Sequence, residues 1–278
     1  MQTQIDLAQQ FRQLNQQGRL LLANAWDVAS ARIYEQAGAL AIGTTSGGIA
    51  YSQGYQDAEL IGRDAMLRVV AAIARSVRLP VSADIEAGYG PSAEDVANSV
   101  RAAIAAGAVG VNIEDNSHGL TSTPLFDIDA HCLRLHAART AADAAGVPVW
   151  INARTDTYLL GLGEDAEARF ADTVVRARAY LAAGADMVFV PVLTDPATVR
   201  RLVEAVGGPI SLMAMPGGPS AAELFAAGAA RVSLGVFPML AAMATVRDIA
   251  AEALGSGTWQ TMSHSYGYAE AEALFATR

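Results

Sequence analysis

The sequence predicts an α/β fold in which eight parallel strands, each followed by a helix, close into a (β/α)8 barrel of the TIM type. Short apolar runs alternate with longer Ala-rich segments of helical periodicity, such as Asp64–Val77 and Glu94–Ala106, and the units recur roughly every 30 residues. The length of 278 residues suits one such barrel, which commonly needs about 250. The eight apolar runs are Leu20–Asn24, Leu40–Thr44, Val81–Asp84, Val109–Glu114, Val147–Ala153, Met187–Val190, Ile210–Ala214 and Arg231–Gly235.

Four of the helical segments end in nearly the same way, which supports a repeating architecture. Each ending contains a Gly that can take the left-handed conformation that ends a helix, and the apolar run after it is typical of a buried strand. We find no linker or low-complexity segment and therefore predict one domain over residues 1–278, with a tail from about residue 255 that docks on its own barrel or a neighbour's. The endings read QAGALAIG (36–43), AAGAVGVNIE (105–114), AAGADMVFV (182–190) and AAGAARVSLG (226–235).

Composition excludes several classes of protein. The formal charge of −9 repels phosphate backbones, so nucleic acid is not an expected partner. The N-terminal region is polar, and no apolar run approaches the length of about 18 residues that a membrane span needs, so we expect no membrane partner. Cys132 is the only cysteine, which rules out an intrachain disulfide and fits a reducing, cytoplasmic location.

The absence of lysine narrows the chemistry further. All 19 basic residues are arginines. Schiff-base aldolases, pyridoxal-phosphate enzymes and the Walker P-loop each require a lysine, so all three are excluded. Carbon chemistry in this chain must therefore depend on a metal ion or on other acids and bases.

Acidic side chains follow two neighbouring runs at the end of the barrel where active sites lie. Asp84 and Glu86 are two positions apart, so an extended strand directs both to the same side. Glu114 and Asp115 end the next run and point in opposite directions, so only one of them faces the centre. Carboxylates this close need a cation or a proton, and oxygen ligands suit Mg²⁺. The pattern predicts a metal site, and the competing interpretation is that these acids cap the following helices.

Three further features are expected at the same end of the barrel. The small residues of TTSGG (44–48) expose backbone N–H groups that can hold an acidic oxygen, although a plain tight turn fits equally. Asp57 follows in the same loop region. Arg154 shares one face of its run with Asn152 and suits a fork to a substrate carboxylate, the alternative being a salt bridge to Glu114 or Asp84.

Histidine offers one candidate acid. His118 lies in the loop just after Glu114 and is placed to reach the site, while capping of the loop is the simpler alternative. His131 and His136 fall in a helical stretch and are expected to be packing or surface residues. We therefore take His118 as a catalytic candidate, beside Asp57 and Arg154.

Five motifs in order, TTSGG, GYQD, SADIEAGYG, VNIED and INARTD, resemble the isocitrate lyase/phosphoenolpyruvate mutase superfamily over about residues 18–255. The resemblance implies Mg²⁺, with Mn²⁺ as the alternative ion, and 2-oxo or 2-hydroxy carboxylate substrates. It also implies a barrel whose last helix is exchanged between subunits of a homodimer or homotetramer.

The resemblance assigns roles to particular residues. Asp84 resembles the aspartate that binds the metal directly, and Glu86 and Glu114 resemble the carboxylates that hold its waters. Glu86 stands where an Asp is usual. Ser46, Gly47 and Gly48 resemble the backbone cradle for the acidic group of the substrate, Asp57 the aspartate of the mutase loop, and Arg154 the substrate-binding arginine.

The loop after the fourth run departs from the superfamily. Its C–C lyases carry a Lys-Lys/Arg-Cys-Gly-His motif there, whereas residues 116–124 read NSHGLTSTP, without Lys or Cys. We therefore expect negligible isocitrate or 2-methylisocitrate lyase activity. The preferred function is Mg²⁺-dependent cleavage of a C–C bond by decarboxylation or retro-aldol reaction. P–C bond chemistry of the mutase or hydrolase type, and a barrel that binds carboxylates without turnover, remain as alternatives.

Overall fold

The structure, a computed structural model, describes residues 2–276. Residues 1, 277 and 278 of the expected single domain lie outside this range. Eight parallel strands form a closed barrel in sequence order, as the alternating pattern predicted. The strands are β1 Leu20–Ala25, β2 Ile42–Thr44, β3 Val81–Asp84, β4 Gly110–Glu114, β5 Trp150–Arg154, β6 Met187–Phe189, β7 Ile210–Met213 and β8 Arg231–Ser233.

Helices surround the barrel and follow its strands. Most begin at a side-chain cap, for example Ser92, whose hydroxyl accepts from the backbone N–H of Asp95 while Asp95 accepts from Ser92 in return. The helices are α1 Gln4–Gln17, α2 Val28–Gln36, α3 Ser46–Ser52, α4 Arg63–Ser76, α5 Ala93–Ala105, α6 Ile128–Ala144, α7 Ala166–Ala182, α8 Pro196–Val206, α9 Ala221–Ala226, α10 Phe237–Gly255 and α11 Tyr268–Phe275, and a 3-10 turn spans Gln260–His264.

Each predicted apolar run overlaps one of the strands, and the largest displacement is at β5. The run was expected to begin at Val147, whereas β5 begins at Trp150. Pro148 has no N–H to donate to a neighbouring strand, so pairing starts only after it. The two helices predicted at Asp64–Val77 and Glu94–Ala106 are confirmed as α4 and α5, each displaced by one residue.

Helix α1 closes the amino-terminal end of the barrel. Phe11 is fully buried, and a Cβ added at Gly110 would lie 2.6 Å from Phe11 Cε1, so only glycine fits at that position of β4. Gln4 Nε2 donates to the carbonyls of Ile104 and Ala108, which fixes α1 against the end of α5. The amino end is thus sealed, and access is confined to the carboxyl end.

The last long helix is packed differently from the others. No residue of α10 is buried, and its apolar side chains Leu240, Met243 and Val246 are exposed. The tail beyond it returns to its own chain, where Arg32 Nη1 donates to Leu274 O at 2.7 Å. Within residues 2–276, no helix combines the length and apolarity that crossing a membrane requires.

Candidate active site

A cavity of about 220 Å³ lies at the carboxyl end of the barrel and continues into its interior. All eight strands contribute to its lining. Of the residues proposed from sequence, Ser46, Gly47, Asp57, Asp84 and Arg154 line the cavity. Gly48, Glu86, Glu114 and His118 lie outside its lining, and their contacts are described below.

Asp84 is fixed at the end of β3 by both neighbouring strands. Its Oδ2 accepts from the backbone N–H of Ser46 at 3.0 Å, and its Oδ1 accepts from Asn112 Nδ2 at 2.9 Å. Asn112 in turn accepts from Asn152 Nδ2 at 2.7 Å. The backbone N–H of Asp84 donates to Thr44 Oγ1. The carboxylate is therefore held in one orientation before any ligand arrives.

The TTSGG segment turns directly into α3, and it has no room for larger side chains. A Cβ at Gly47 would lie 3.0 Å from Asp57 Oδ2, and one at Gly48 would lie 2.6 Å from Thr45 Cγ2. The Gly48 N–H donates to Thr45 Oγ1 at 3.4 Å. The glycines therefore allow Asp57 and Thr45 to approach the backbone beside Asp84.

Asp57 stands close to Asp84, and the two acids influence each other. Burial raises the pKa of Asp57, and the charge of Asp84 raises it further. A hydrogen bond from the backbone of Ala58 and the charge of Arg154 act in the opposite direction. The site therefore concentrates negative charge that its own residues neutralise only in part.

Glu86 does not share the face of Asp84, which corrects the expectation drawn from strand geometry. Strand β3 ends at Asp84, and Glu86 has a φ of +51°, so two-residue alternation no longer applies. Its Oε2 accepts from the backbone N–H of Glu59 at 2.5 Å and its Oε1 from Tyr89 Oη at 3.0 Å. Burial, then the charges of Asp57 and Asp84, raise the pKa of Glu86 to about 8.

Arg154 is engaged by two carboxylates, so the salt-bridge alternative weighed from sequence is present. Nη1 lies 2.6 Å from Glu114 Oε2, and the Nε and Nη2 atoms donate to both oxygens of Asp156 at 2.6 and 2.9 Å. Arg154 also lines the cavity. Burial lowers its pKa, but the charges of Glu114 and Asp156 outweigh burial and the net shift is upward.

His118 reaches the site through Glu114. Its Nε2 lies 2.6 Å from Glu114 Oε1, and its φ of +46° places the ring over the end of β4. Burial lowers the pKa of His118, yet the hydrogen bond and charge of Glu114 outweigh it and the net shift is upward. Burial raises the pKa of Glu114 to about 7, against the opposing influence of Arg154. His118 and Glu114 therefore form one hydrogen-bonded pair in which the pKa of each group is raised.

Sequence reasoning missed the residues that support this constellation. Asp115 Oδ1 accepts from the backbone N–H of Asp156 at 2.9 Å, and its Oδ2 accepts from Tyr180 Oη at 2.7 Å and lies 3.3 Å from Arg176 Nη1. Burial and the charge of Asp156 raise the pKa of Asp115 to about 6. The sequence could have pointed to Asp115 and Asp156, because they are the acids that end the motifs VNIED and INARTD. It offered no comparable pattern for Tyr180 on α7.

The donor set can be tested against a divalent ion. Within residues 2–276, no three His, Cys, Asp or Glu side chains are arranged to hold an ion by themselves. Mg²⁺ is commonly bound through one or two carboxylates with several retained waters, so a full protein cage is not required. Asp57 and Asp84 line one cavity, and their charges raise the pKa of Glu86. A divalent cation would offset the negative charge that these carboxylates bring together, so the residues present fit such an ion.

Residues 11–254 match the family model described as phosphoenolpyruvate phosphomutase. The chain belongs to this family. An uncharacterized protein of Mycobacterium tuberculosis is 37% identical over 265 residues, which cover 95% of each chain. The 2-methylisocitrate lyase of Escherichia coli is 32% identical over 201 residues, or 71% of this chain and 66% of that one.

Other members of the phosphomutase family carry different activities on the same fold. An oxaloacetate decarboxylase of Bradyrhizobium diazoefficiens is 28% identical over 235 residues, covering 81% of this chain and 77% of its own. A solved complex of phosphonopyruvate hydrolase with oxalate and Mg²⁺ superposes with a TM-score of 0.84 at 26% identity, covering 98% of this chain and 95% of that one. The family thus includes C–C lyases, decarboxylases and P–C hydrolases, and the resemblance drawn from the motifs is confirmed.

Proposed function

We propose that this family member is a Mg²⁺-dependent lyase or decarboxylase that cleaves a C–C bond in a small 2-oxo or 2-hydroxy carboxylate. The observation that carries the proposal is the pairing of Asp84 with Arg154 on one small cavity. An anionic oxygen ligand and a guanidinium on one cavity suit a substrate that brings a carboxylate together with a metal ion.

Asp84 would hold the ion directly, and the acids behind it would hold its waters. Asp84 is already oriented by Ser46 and Asn112, so binding requires little rearrangement. In this assignment Glu86 and Glu114 act through water, because neither lines the cavity. A bound Mg²⁺ supplies Lewis-acid stabilisation of negative charge that develops on a substrate oxygen.

Arg154 would bind the substrate carboxylate from the other side of the cavity. The grip of Asp156 and Glu114 fixes the guanidinium plane, so its remaining surface toward the cavity is preorganised. Of the segment Ser46, Gly47 and Gly48, the first and last N–H groups already donate to Asp84 and Thr45, which leaves the Gly47 N–H, bordered by Asp57, as the second candidate for holding an acidic oxygen.

His118 is the candidate proton donor. Despite burial, the hydrogen bond and charge of Glu114 raise the pKa of His118, which favours the protonated imidazole, and Glu114 Oε1 holds His118 Nε2 at 2.6 Å. Movement of the loop after β4 would bring a proton from His118 to the carbon that keeps the electron pair when the C–C bond breaks. The loop has no thiol in this role, since Cys132 lies on α6. This arrangement favours an oxaloacetate-like acid over isocitrate or 2-methylisocitrate.

A substrate panel with Mg²⁺ tests the proposal. Purified protein is incubated with oxaloacetate, isocitrate, 2-methylisocitrate and phosphonopyruvate, while pyruvate, glyoxylate, CO₂ and phosphate are measured together. We expect the protein with Mg²⁺ to release CO₂ and pyruvate from oxaloacetate faster than Mg²⁺ alone does. Asp84→Asn should reduce this rate to that of Mg²⁺ alone. Phosphate release from phosphonopyruvate would favour the P–C alternative. Oxalate binding without any turnover would favour a non-catalytic carboxylate-binding barrel.

We further propose that the protein is a homodimer or homotetramer in which α10 packs on a partner subunit. The support is the exposed apolar side chains of α10, since a soluble helix normally buries such residues. Light scattering at micromolar concentration should give a mass at least twice that of the chain, and Val246→Glu should lower it. A monomeric wild type would contradict this proposal.

A further inference from the structure

The lower part of the cavity has an unusual lining for a barrel of this type. Interior positions of such barrels are generally filled by bulky branched side chains. Here the cavity is bordered by Ser82, Ser211 and Ser233, together with the guanidinium-bearing Arg231 at the start of β8. Position 110, next to Ser82 on β4, is a glycine. The cavity therefore continues from its mouth, where the carboxylates of Asp57 and Asp84 lie, to a polar floor formed by Ser82, Ser211 and Arg231.

Arg231 is a buried cation without an acidic partner. It is 3% exposed, and its Nε donates to Ser211 Oγ at 3.1 Å and its Nη1 to Asn15 Oδ1 at 3.2 Å. Both partners are neutral. Burial alone shifts its pKa, downward to about 9, and no carboxylate acts against it. A buried charge is normally paired, so a bound anion would stabilise Arg231 more than its neutral protein partners do.

Two polar groups at the floor are available to such an anion. Nη2 of Arg231 makes no hydrogen bond within residues 2–276 although it belongs to the cavity lining, and the same holds for Ser82 Oγ. Ser233 Oγ, by contrast, donates to Leu212 O at 3.2 Å. A guanidinium N–H and a free hydroxyl facing one cavity are the donors that a carboxylate accepts.

We propose that Arg231, with Ser82 and Ser211, forms an anion subsite at the floor of the barrel that binds the second carboxylate of an extended dicarboxylate. This inference rests on the proposed function, in which the first carboxylate lies at Arg154. The cavity follows β8 from Arg231 to Gly235, which is about 13 Å of strand. Hydrogen bonds of about 3 Å at the two ends leave about 7 Å for the ligand. An extended chain advances about 3.5 Å for every three bonds, so a diacid of about four to six carbons fits below the mouth.

The test compares two ligands with identical heads. 2-Oxoglutarate and 2-oxopentanoate share the 2-oxo acid and the chain length and differ only in the terminal carboxylate, and neither has a carboxylate β to the carbonyl. Calorimetry with Mg²⁺ should give at least tenfold tighter binding of 2-oxoglutarate to the wild type. Arg231→Met should reduce this ratio to about two or less, and Arg231→Lys should restore part of it.

Control variants separate the subsite from the mouth and from misfolding. Arg247→Met removes an exposed arginine of α10 and should leave the ratio unchanged. Ser82→Val fills the floor without removing charge and should weaken 2-oxoglutarate more than 2-oxopentanoate, which tests the site even where Arg231→Met unfolds. Oxalate is short enough to report on the mouth alone, so all of these variants should bind it as the wild type does.

Each remaining outcome decides between the two proposals. Equal affinity of the wild type for both 2-oxo acids, or an unchanged ratio in Arg231→Met, overturns the floor subsite while the proposed function stands. Stabilisation by chloride that disappears in Arg231→Met, without any preference for the diacid, assigns the floor to an inorganic anion and also overturns it. Failure of oxalate and both 2-oxo acids to bind the wild type with Mg²⁺ overturns both proposals.

Discussion

The two ends of the barrel interior carry charge of opposite sign. At the mouth, the acids Asp57, Asp84, Glu86 and Glu114 outnumber the basic groups Arg154 and His118, both of which pair with Glu114. At the floor, Arg231 has neutral partners alone. The mouth is built from loops that leave their strands with irregular backbone, as the φ of Glu86 illustrates, whereas the floor is sealed by the packing of α1. The comparison shows that acidic side chains are concentrated at the mouth, whereas the packing that seals the barrel is concentrated at the floor, beside Arg231.

The largest expected effect comes from removing the central carboxylate of the mouth. Asp84→Asn keeps the size and the acceptor for the Ser46 N–H but loses the charge. We expect metal binding by calorimetry to be abolished and kcat/KM to fall about 1,000-fold, or about 4 kcal/mol. Asp64→Asn, on the exposed start of α4, should behave as the wild type. An unchanged metal affinity in Asp84→Asn would disprove the assignment of the mouth.

A second substitution tests whether packing at the floor can be weakened, with a loss of fold stability, without a loss of activity at the mouth. Phe11 is fully buried beneath the barrel, so Phe11→Ala should lower the free energy of unfolding by about 3–4 kcal/mol. Because Phe11 is remote from Asp84, kcat at low temperature should change little. Phe170→Ala, a half-buried position on α7, should cost less. A large loss of kcat without loss of stability would show that the two ends are linked.

The pH dependence of stability sharpens the description of the mouth. The pKa of Glu86 is raised to about 8 in the folded protein from an ordinary 4.5. Its contribution to the free energy of unfolding is therefore fully present below pH 4.5 and is lost as pH rises through 8. Between pH 5 and 8 the free energy of unfolding of the metal-free protein should fall by on the order of 2–3 kcal/mol. Mg²⁺ should oppose this loss at the upper end of the range, since it binds the ionised site.

Glu86→Gln isolates the contribution of this one group. Glutamine cannot ionise, and its single amide oxygen can still accept from the Glu59 N–H while its amide N–H₂ can donate to Tyr89 Oη. Urea unfolding at several pH values without metal should therefore be flatter for Glu86→Gln than for the wild type. The exposed Glu94→Gln is the matched control. Parallel pH profiles of unfolding for wild type and Glu86→Gln would mean that groups other than Glu86 relieve the repulsion between the acids at the mouth.

The sequence was sufficient for the barrel and for the residues at strand ends. Alternating apolar runs specify parallel strands, and the carboxyl-end rule then locates Asp84 and Arg154 without coordinates. It was insufficient for Glu86, because the left-handed φ that turns its side chain away depends on a loop closed by Glu59, 27 positions earlier. The pairing of Arg154 with Glu114 was weighed but could not be decided, since it depends on the register of β4 against β5.

Arg231 illustrates a signal that was present and not used. It interrupts the apolar run AAGAARVSLG, and a charged residue at an interior strand position calls for a partner. Its neutral neighbours lie at Ser211 and Asn15, the latter 216 positions away, so nothing local in the sequence reveals that a carboxylate is missing. Long-range placement of this kind follows from barrel closure and from α1, which periodicity does not specify.

The smallest expected effect concerns the support behind the mouth. Tyr180→Phe removes the Tyr180 Oη donor to Asp115 Oδ2 and the acceptor for Arg176 Nη1, but leaves the contacts of Asp115 with Arg176 and with the Asp156 N–H in place. One hydrogen bond to a buried carboxylate is worth about 1–2 kcal/mol, so stability should fall by that amount. Because Asp115 positions Asp156, which in turn holds Arg154, KM should rise about two- to fivefold while kcat stays nearly constant. Tyr158→Phe, a half-buried tyrosine that lacks this contact, is the matched control. If Tyr180→Phe loses stability with an unchanged KM, Asp115 serves only the packing of α7, and the mouth does not depend on it to keep Arg154 in position.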